Sequence, residues 1–164
     1  MLFCSPNGYC LLPIGDHLHT VIGGTFDAFK GCFGVCLEKH SSRAKEADIL
    51  LDVPDFGVPS AREFSDTITR IVRQMIDEPD VPIYVGCRGG IGRTGMVIAA
   101  LVRATIPDVD PVGWTRRNYL QSAVETGPQR ALVESFDVQP ALRLLNLHER
   151  RGIFSRLISL FSLP

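Results

Sequence analysis

The segment GCRGGIGRTG, residues 86–95, limits the possible folds of this chain more than any other feature. It lies between the apolar run VPIYV, residues 81–85, and the longer apolar run MVIAALVRA, residues 96–104. A short apolar run, a glycine-rich connection and a longer apolar run are typical of a buried strand, a tight loop and a buried helix. The segment therefore predicts a loop at the carboxyl end of a strand in an α/β sheet.

The remaining pattern extends this α/β prediction. Ser60 followed by Glu63 indicates the start of a helix, and the apolar spacing that follows predicts an amphipathic helix over residues 61–77. The other expected elements are strands at 17–24, 47–53 and 81–85, a first helix over 26–40, and helical pieces at 115–120, 129–136 and 141–147. Strands that alternate with helices favour a central, mainly parallel sheet flanked by helices.

Length and charge restrict the class of protein. The chain has 164 residues, which suits one domain, and we assign residues 1–150 to it. A net charge of −1 does not favour a nucleic-acid partner held by bulk charge. The N-terminus has no signal-peptide pattern, and no apolar run reaches the roughly 18 residues needed for a transmembrane helix. A cytoplasmic protein is the expectation.

The last residues, 151–164, form a separate feature. Arginines accompany a wide apolar stripe in this tail, made by Ile153, Phe154, Leu157, Ile158, Leu160 and Phe161. A basic amphipathic helix can pack on its own domain, on a second copy or partner, or on a membrane surface.

The five cysteines, at positions 4, 10, 32, 36 and 87, do not have the spacing of a disulfide framework. Cys32, Cys36 and His40 would share one face if the predicted helix over 26–40 formed, which leaves a metal site open there. Small buried apolar side chains are the alternative interpretation of these cysteines. We expect neither a metal nor a cofactor.

The glycine segment suits an oxyanion. It lacks the lysine of a nucleotide P-loop, and its glycines are not at the offsets of a dinucleotide fold. Glycines between a strand and a helix allow successive N–H groups to form an anion-binding nest, which the helix N-terminus reinforces. Arg93 can offer two parallel donors to phosphate oxygens, and the same field favours the thiolate of Cys87. Thr94 can hydrogen-bond the sulfur.

CRGGIGRTG resembles the CX5R(S/T) signature of the cysteine-dependent protein tyrosine and dual-specificity phosphatases. The resemblance covers roughly residues 45–136 and implies the protein tyrosine phosphatase-like fold. It also implies attack by Cys87 on phosphorus, with a phosphocysteine intermediate and a phosphorylated protein as substrate. The phosphate would be held by Arg93 and by the rest of the loop, Arg88, Gly89, Gly90, Ile91 and Gly92. The length fits the compact dual-specificity type.

The family resemblance also suggests a general acid. VPDFGVPS, residues 53–60, resembles the family's WPDxGxP loop, which makes Asp55 the expected acid. Asp52, at the end of a predicted strand, is the rival. Gln129 matches a glutamine that orients water in the second step. Arg130 is either a second site residue or a surface arginine, and Trp114 is expected in the core.

Two departures from the family keep other functions open. Gly86 replaces a histidine that usually precedes the cysteine, and Val53 replaces a tryptophan. Both changes allow a catalytically weak, phosphate-binding pseudophosphatase. Arg88 allows a polyanionic substrate such as a phosphoinositide or an RNA 5′-triphosphate. An arsenate-reductase or rhodanese-like use of the loop would need a second thiol near Cys87.

Overall fold

The computed structural model describes residues 7–161, with side chains described as far as residue 152. Its centre is a five-stranded sheet in the spatial order β1-β2-β5-β3-β4. β1 and β2 are an antiparallel hairpin, whereas β2, β5, β3 and β4 are mutually parallel. The strands are β1 (Gly8–Ile14), β2 (His17–Thr25), β3 (Phe33–Cys36), β4 (Ile49–Leu50) and β5 (Ile83–Cys87). The predicted, mainly parallel sheet is therefore confirmed.

Five α-helices complete the described part of the chain. They are α1 (Ala61–Asp77), α2 (Gly92–Thr105), α3 (Pro111–Asn118), α4 (Gly127–Ser135) and α5 (Gln139–Phe161). α1 begins where the sequence predicted, because the Ser60 side chain accepts a hydrogen bond from the backbone N–H of Glu63. α2 is buried over nearly its whole length, which places the helix that follows the glycine segment at the centre of the molecule.

The two faces of the sheet carry different clusters. Adjacent residues of a strand point to opposite faces. Val35 and Val85 join a large core with the helices, whereas their neighbours Cys36 and Tyr84 join a small cluster on the other face. Phe26 and Phe29 stack in that small cluster, with ring centroids 4.8 Å apart.

The predicted helix over residues 26–40 is wrong. This region contains a short 3₁₀ turn, Phe26–Ala28, and then β3. Gly34 explains the difference, because a Cβ there would lie 2.7 Å from the Phe29 ring, and Gly31 has a φ of +61°. The shared helical face of Cys32, Cys36 and His40 is therefore absent, and within the described residues no cluster of His, Cys, Asp or Glu is arranged for a metal.

Two strand predictions need adjustment. The apolar segment 47–53 forms only the two-residue strand β4, and the rest of it continues as a loop toward the site. Gly23 and Gly24, at the end of the strand predicted over 17–24, lie inside β2, which continues to Thr25. The ring of Tyr119 occupies the space where a Gly23 side chain would be, since its hydroxyl would lie 2.4 Å from a Cβ there.

The C-terminal helix crosses the boundary that we set at residue 150, because α5 continues to Phe161. The apolar stripe predicted from Ile153 to Phe161 lies outside the residues whose side chains are described. No helix in the described part of the chain is long and apolar enough to cross a membrane.

Candidate active site

The loop between β5 and α2 forms a cup, residues 87–93, with Cys87 at its base. Cys87 ends β5 and its side chain is only 3% exposed. The chain turns back through Gly90, whose φ is +69°, a conformation that glycine adopts without strain. A side chain at Gly90 would also collide with Asn7 and with the backbone of Gly24. The glycine at this position is required both by its φ and by the space around it.

Two donors point at the Cys87 sulfur. The backbone N–H of Gly90 and the hydroxyl of Thr94 each donate to Sγ at 3.2 Å. Both donors stabilise a sulfur anion more than a neutral thiol. The cup also lies at the N-terminus of α2, where the helix dipole favours negative charge. Thr94 thus makes the hydrogen bond to the sulfur that the sequence predicted.

Arg93 is buried beside the cup, with 3% of its side chain exposed. Its Nη1 donates to the backbone oxygen of Val53 at 2.8 Å and to the Glu38 carboxylate at 3.0 Å. Its Nη2 donates to Oδ1 of Asp55 at 2.9 Å. These contacts fix the plane of the guanidinium. Among the described residues no acceptor engages Nε, so Nε is open to an oxyanion, and an oxyanion that binds Nε and Nη2 together would take Nη2 from Asp55.

The predicted acid loop, residues 53–60 and called the acid loop below, packs against this arginine. Asp55 lies at the cup with 57% of its side chain exposed, and Phe56 beside it has a φ of +56°. Val53, at the position of the family's tryptophan, is buried and supplies a carbonyl to Arg93. The loop thus reaches the cup through its backbone at Val53 and its carboxylate at Asp55.

Asp52 lies outside the cup contacts and has a cation of its own. Lys39 Nζ lies 2.8 Å from its Oδ2, and the Lys39 backbone N–H also donates to its Oδ1 at 3.2 Å. These contacts, above all the side-chain hydrogen bond of Lys39, lower the pKa of Asp52. Asp55 instead contacts the arginine of the cup, Arg93, so its position supports Asp55 over Asp52 as the predicted acid.

Gln129 is fully buried and links the acid loop to the start of α4. Its Oε1 accepts a hydrogen bond from the backbone N–H of Glu125 at 2.9 Å, and its Nε2 donates to the Gly57 oxygen at 3.4 Å. The Thr126 hydroxyl donates to the neighbouring carbonyl of Phe56 at 3.2 Å. Both ends of the Gln129 amide are engaged in this pose, so it positions the acid loop.

Gly86, where the family has a histidine, lies against Phe26. A Cβ at Gly86 would be 2.9 Å from both Cα and Cβ of Phe26. Phe26 is fully buried by Phe29 and Tyr84, so it has little room to move. An aromatic cluster thus supports the back of the cup in place of a hydrogen-bonding histidine.

The remaining predicted residues differ in their exposure and in their distance from the cup. Arg88 and Gly89 are exposed at the rim of the cup, Ile91 is half-buried, and Gly92 is buried. Arg88 borders two clefts that meet at Cys87, with volumes of about 580 Å³ and 220 Å³. Arg130 lies on the exposed side of α4. Trp114 packs against the core, as predicted.

Four residues of the site were missed by sequence reasoning. Glu38 holds Arg93, and Glu125 lines the smaller cleft over Gly92. Asn7 donates from Nδ2 to the Gly89 oxygen at 2.6 Å, and the Tyr119 hydroxyl donates to the Gly90 oxygen. Glu125 was accessible to sequence analysis, since it lies four residues before Gln129. Glu38, Asn7 and Tyr119 come from segments with no recognisable motif.

The other described cysteines do not share the environment of Cys87. Cys36 faces the opposite side of the sheet, and burial raises the pKa of its thiol to about 11. Cys10 lies in the core on β1, and burial raises the pKa of its thiol to about 12. Cys32 packs on the Cys36 side of the sheet, and Cys4 lies outside the described residues.

Comparison with known proteins agrees with this site. A family model described as "Tc-R-P: Polymorphic toxin system, DSP-PTPase phosphatase" matches residues 39–105, a segment that contains Asp55, Cys87 and Arg93. No curated protein matches the chain.

Solved structures share the fold at low sequence identity. Tk-PTP in its active form is 19% identical, with a TM-score of 0.56 over 76% of this chain and 94% of that one. DUSP15 is 15% identical, with a TM-score of 0.61 over 88% and 97%. Kinase associated phosphatase, with its catalytic cysteine replaced by serine, is 14% identical, with a TM-score of 0.57 over 84% and 97%.

The solved structures show that the chain has a protein tyrosine phosphatase-like fold, in which Cys87 lies at the base of the cup. The family match is more specific over part of the chain. Residues 39–105 are similar to the dual-specificity-like cysteine phosphatases that this family model describes.

Proposed function

We propose that this chain hydrolyses phosphomonoesters of proteins, phosphotyrosine and also phosphoserine or phosphothreonine, through a phosphocysteine intermediate. The observation that supports this most is the environment of Cys87. Its buried sulfur accepts hydrogen bonds from Gly90 and Thr94, beside the guanidinium of Arg93 and the carboxyl group of Asp55. A nucleophile, an oxyanion ligand and an acid therefore meet at one cup.

The first step forms an S–P bond and breaks the ester P–O bond. The Cys87 thiolate attacks phosphorus, Arg93 and the cup amides hold the phosphoryl oxygens, and Asp55 gives its proton to the departing oxygen. Before this step, the incoming phosphate competes with the Asp55 carboxylate for the Arg93 guanidinium. We infer that its arrival separates the two side chains and frees Asp55 for protonation and transfer.

The second step returns the enzyme to its starting state. A water oxygen attacks phosphorus, the S–P bond breaks, and the water proton passes to the Asp55 carboxylate. Thr94 stabilises the sulfur as it leaves. Our prediction that Gln129 orients this water requires its amide to leave Glu125 and Gly57 in the phosphoenzyme.

The decisive experiment combines turnover with trapping of the intermediate. Purified protein should hydrolyse para-nitrophenyl phosphate without added metal, and orthovanadate should inhibit it. Cys87→Ser should abolish turnover, and acid quenching of the wild-type reaction should yield a phosphorylated peptide containing residue 87. Full activity of Cys87→Ser, or a quenched enzyme that never contains phosphate, would exclude this mechanism.

A pseudophosphatase is the second candidate, favoured by Gly86 and Val53 at positions where the family has histidine and tryptophan. It predicts tight binding of a phosphopeptide with no product burst. A panel of phosphotyrosine, phosphoserine and phosphothreonine peptides, a phosphoinositide and RNA 5′-triphosphate separates these functions. Preference for either of the last two would assign the exposed Arg88 to a polyanionic substrate.

The biological system and the cellular location of this chain are also part of the proposal. The matching family is described as part of a polymorphic toxin system, and we extend that setting to this chain. It predicts that expression of the wild-type chain slows growth of a host cell and that expression of Cys87→Ser does not. We assign catalysis to a domain formed by residues 1–150. We also assign the protein to a reducing, cytoplasmic location, because the mechanism needs Cys87 as a free thiol.

A further inference from the structure

Two side chains outside the cup hold successive carbonyls of its backbone. Asn7 Nδ2 donates to the oxygen of Gly89 at 2.6 Å, and the hydroxyl of Tyr119 donates to the oxygen of Gly90. Asn7 precedes β1, whereas Tyr119 follows α3, so the two contacts come from distant parts of the chain. Neither residue belongs to the sequence segment that forms the cup.

These two contacts fix the direction of two N–H groups. In a trans peptide the C=O and N–H bonds point in opposite directions. The carbonyl of Gly89 points to Asn7, and the N–H of the same peptide, on Gly90, donates to Cys87 Sγ at 3.2 Å. The carbonyl of Gly90 is held by Tyr119, so the N–H of Ile91 points away from Tyr119.

We propose that Tyr119 and Asn7 are positioning residues that hold the Gly89–Gly90 and Gly90–Ile91 peptides with their N–H groups directed into the cup, for a bound oxyanion. The proposal deepens the proposed function, since it concerns the same cup. Both residues act through the backbone, and neither is assigned a contact with the substrate.

The surroundings of Tyr119 support this role. Its side chain occupies space that glycines leave open, because a Cβ at Gly23 would lie 2.4 Å from the hydroxyl oxygen and a Cβ at Gly8 would lie 3.3 Å from the ring. Burial, and to a lesser extent the nearby Cys87, raise the pKa of Tyr119 far above its ordinary value. The hydroxyl therefore remains a proton donor at all working pH values.

The chain provides a matched control for each residue. Tyr84 is also buried, and its hydroxyl donates to the backbone oxygen of Thr25 at 2.7 Å, on the opposite face of the sheet. Asn118 is exposed, and its Nδ2 donates to the backbone oxygen of Trp114 at 2.8 Å. Each control loses the same kind of hydrogen bond without releasing a carbonyl of the cup, and Tyr84→Phe keeps the ring that packs on Phe26.

The test measures binding of inorganic tungstate by calorimetry, which does not depend on turnover. We expect Tyr119→Phe to weaken tungstate binding by roughly three- to tenfold and Asn7→Ala by roughly two- to fivefold, the range of one hydrogen bond. Tyr84→Phe and Asn118→Ala should stay within about twofold of the wild type. In amide NMR spectra, Ile91 should shift on tungstate addition in the wild type and shift less in Tyr119→Phe.

The outcomes separate this inference from the proposed function. If folded Tyr119→Phe and Asn7→Ala bind tungstate as tightly as their controls, the positioning role is wrong. If Tyr119→Phe fails to fold, the comparison of Asn7→Ala with Asn118→Ala and the shift of the wild-type Ile91 resonance still test the positioning role. Wild-type protein that binds tungstate but hydrolyses no phosphomonoester would overturn the proposed function alone, and wild-type protein that binds no tungstate would overturn both.

Discussion

Nη2 of Arg93 donates a hydrogen bond to Oδ1 of Asp55 at 2.9 Å, so the expected phosphate ligand and the expected acid are paired with each other. The pair joins the cup to the acid loop. A phosphate dianion that binds Arg93 must replace this carboxylate. Removal of the Asp55 carboxylate therefore has two separable effects, one on binding and one on proton transfer.

Asp55→Ala should lower kcat for phosphopeptides by about a hundredfold, the size of a lost general acid. The same variant should bind tungstate more tightly than the wild type, because no carboxylate competes for Arg93. Steady-state kinetics and calorimetry give the two values. Asp52→Ala is the control and should change kcat less than about twofold. If Asp52→Ala shows the large loss of kcat instead, Asp52 is the acid.

Glu125 places negative charge beside an anion site. Its carboxylate lies over Gly92, within 2.2 Å of where a Cβ would be, and no described cation forms an ion pair with it. Glu125→Gln should therefore lower KM for a dianionic aryl phosphate by roughly two- to fivefold, with less effect at high salt. The exposed Glu134 on α4 supplies the control variant, Glu134→Gln, which should leave KM unchanged. A higher KM in Glu125→Gln would contradict this electrostatic account.

Gly86 should tolerate no side chain. Gly86→Ala would bring its Cβ against Phe26, and we expect a loss of roughly 1–3 kcal/mol in the free energy of unfolding, typical of overpacking. A Cβ at Gly152, in α5, would have no neighbour within 4 Å. Gly152→Ala should therefore slightly raise the free energy of unfolding, because alanine has a higher helix propensity than glycine. Urea denaturation measures both. Equal stability of Gly86→Ala and the wild type would show that Phe26 moves aside.

His19 should make the fold sensitive to acid. The side chain is fully buried, and among the described residues neither ring nitrogen has a hydrogen-bond partner of good geometry. Burial, followed by the nearby His17, lowers the pKa of His19 below its ordinary value of 6.5, against smaller opposing contributions from the Val81 backbone and Asp80.

The unfolded chain therefore takes up a proton near pH 6.5 that the native chain does not. The free energy of unfolding should be independent of His19 above this pH and should fall as the pH drops below it. Urea denaturation between pH 5 and 8 measures the slope, which His19→Phe should reduce and His17→Gln should retain. An unchanged slope in His19→Phe would assign the acid sensitivity to other groups.

The sequence alone determined the cup and the elements around it. A glycine-rich segment between two apolar runs predicts a strand, a turn and a helix, because glycine permits the turn and continuous apolar character requires burial. The N-terminus of α1 was predictable at Ser60 for the same local reason, since a cap satisfies N–H groups of its own helix. Cys87, Arg93, Thr94 and Asp55 could be predicted as site residues because each lies within a short local pattern.

Only the tertiary structure determined what surrounds these residues. Glu38, Asn7 and Tyr119 reach the cup from segments far from it in sequence, and no local pattern specifies such contacts. The helix expected over 26–40 failed because Gly34 and Gly86 leave room for Phe29 and Phe26, a packing relation between separate segments. Local sequence sets local geometry, whereas the partners of a buried polar or aromatic group depend on which strands lie side by side.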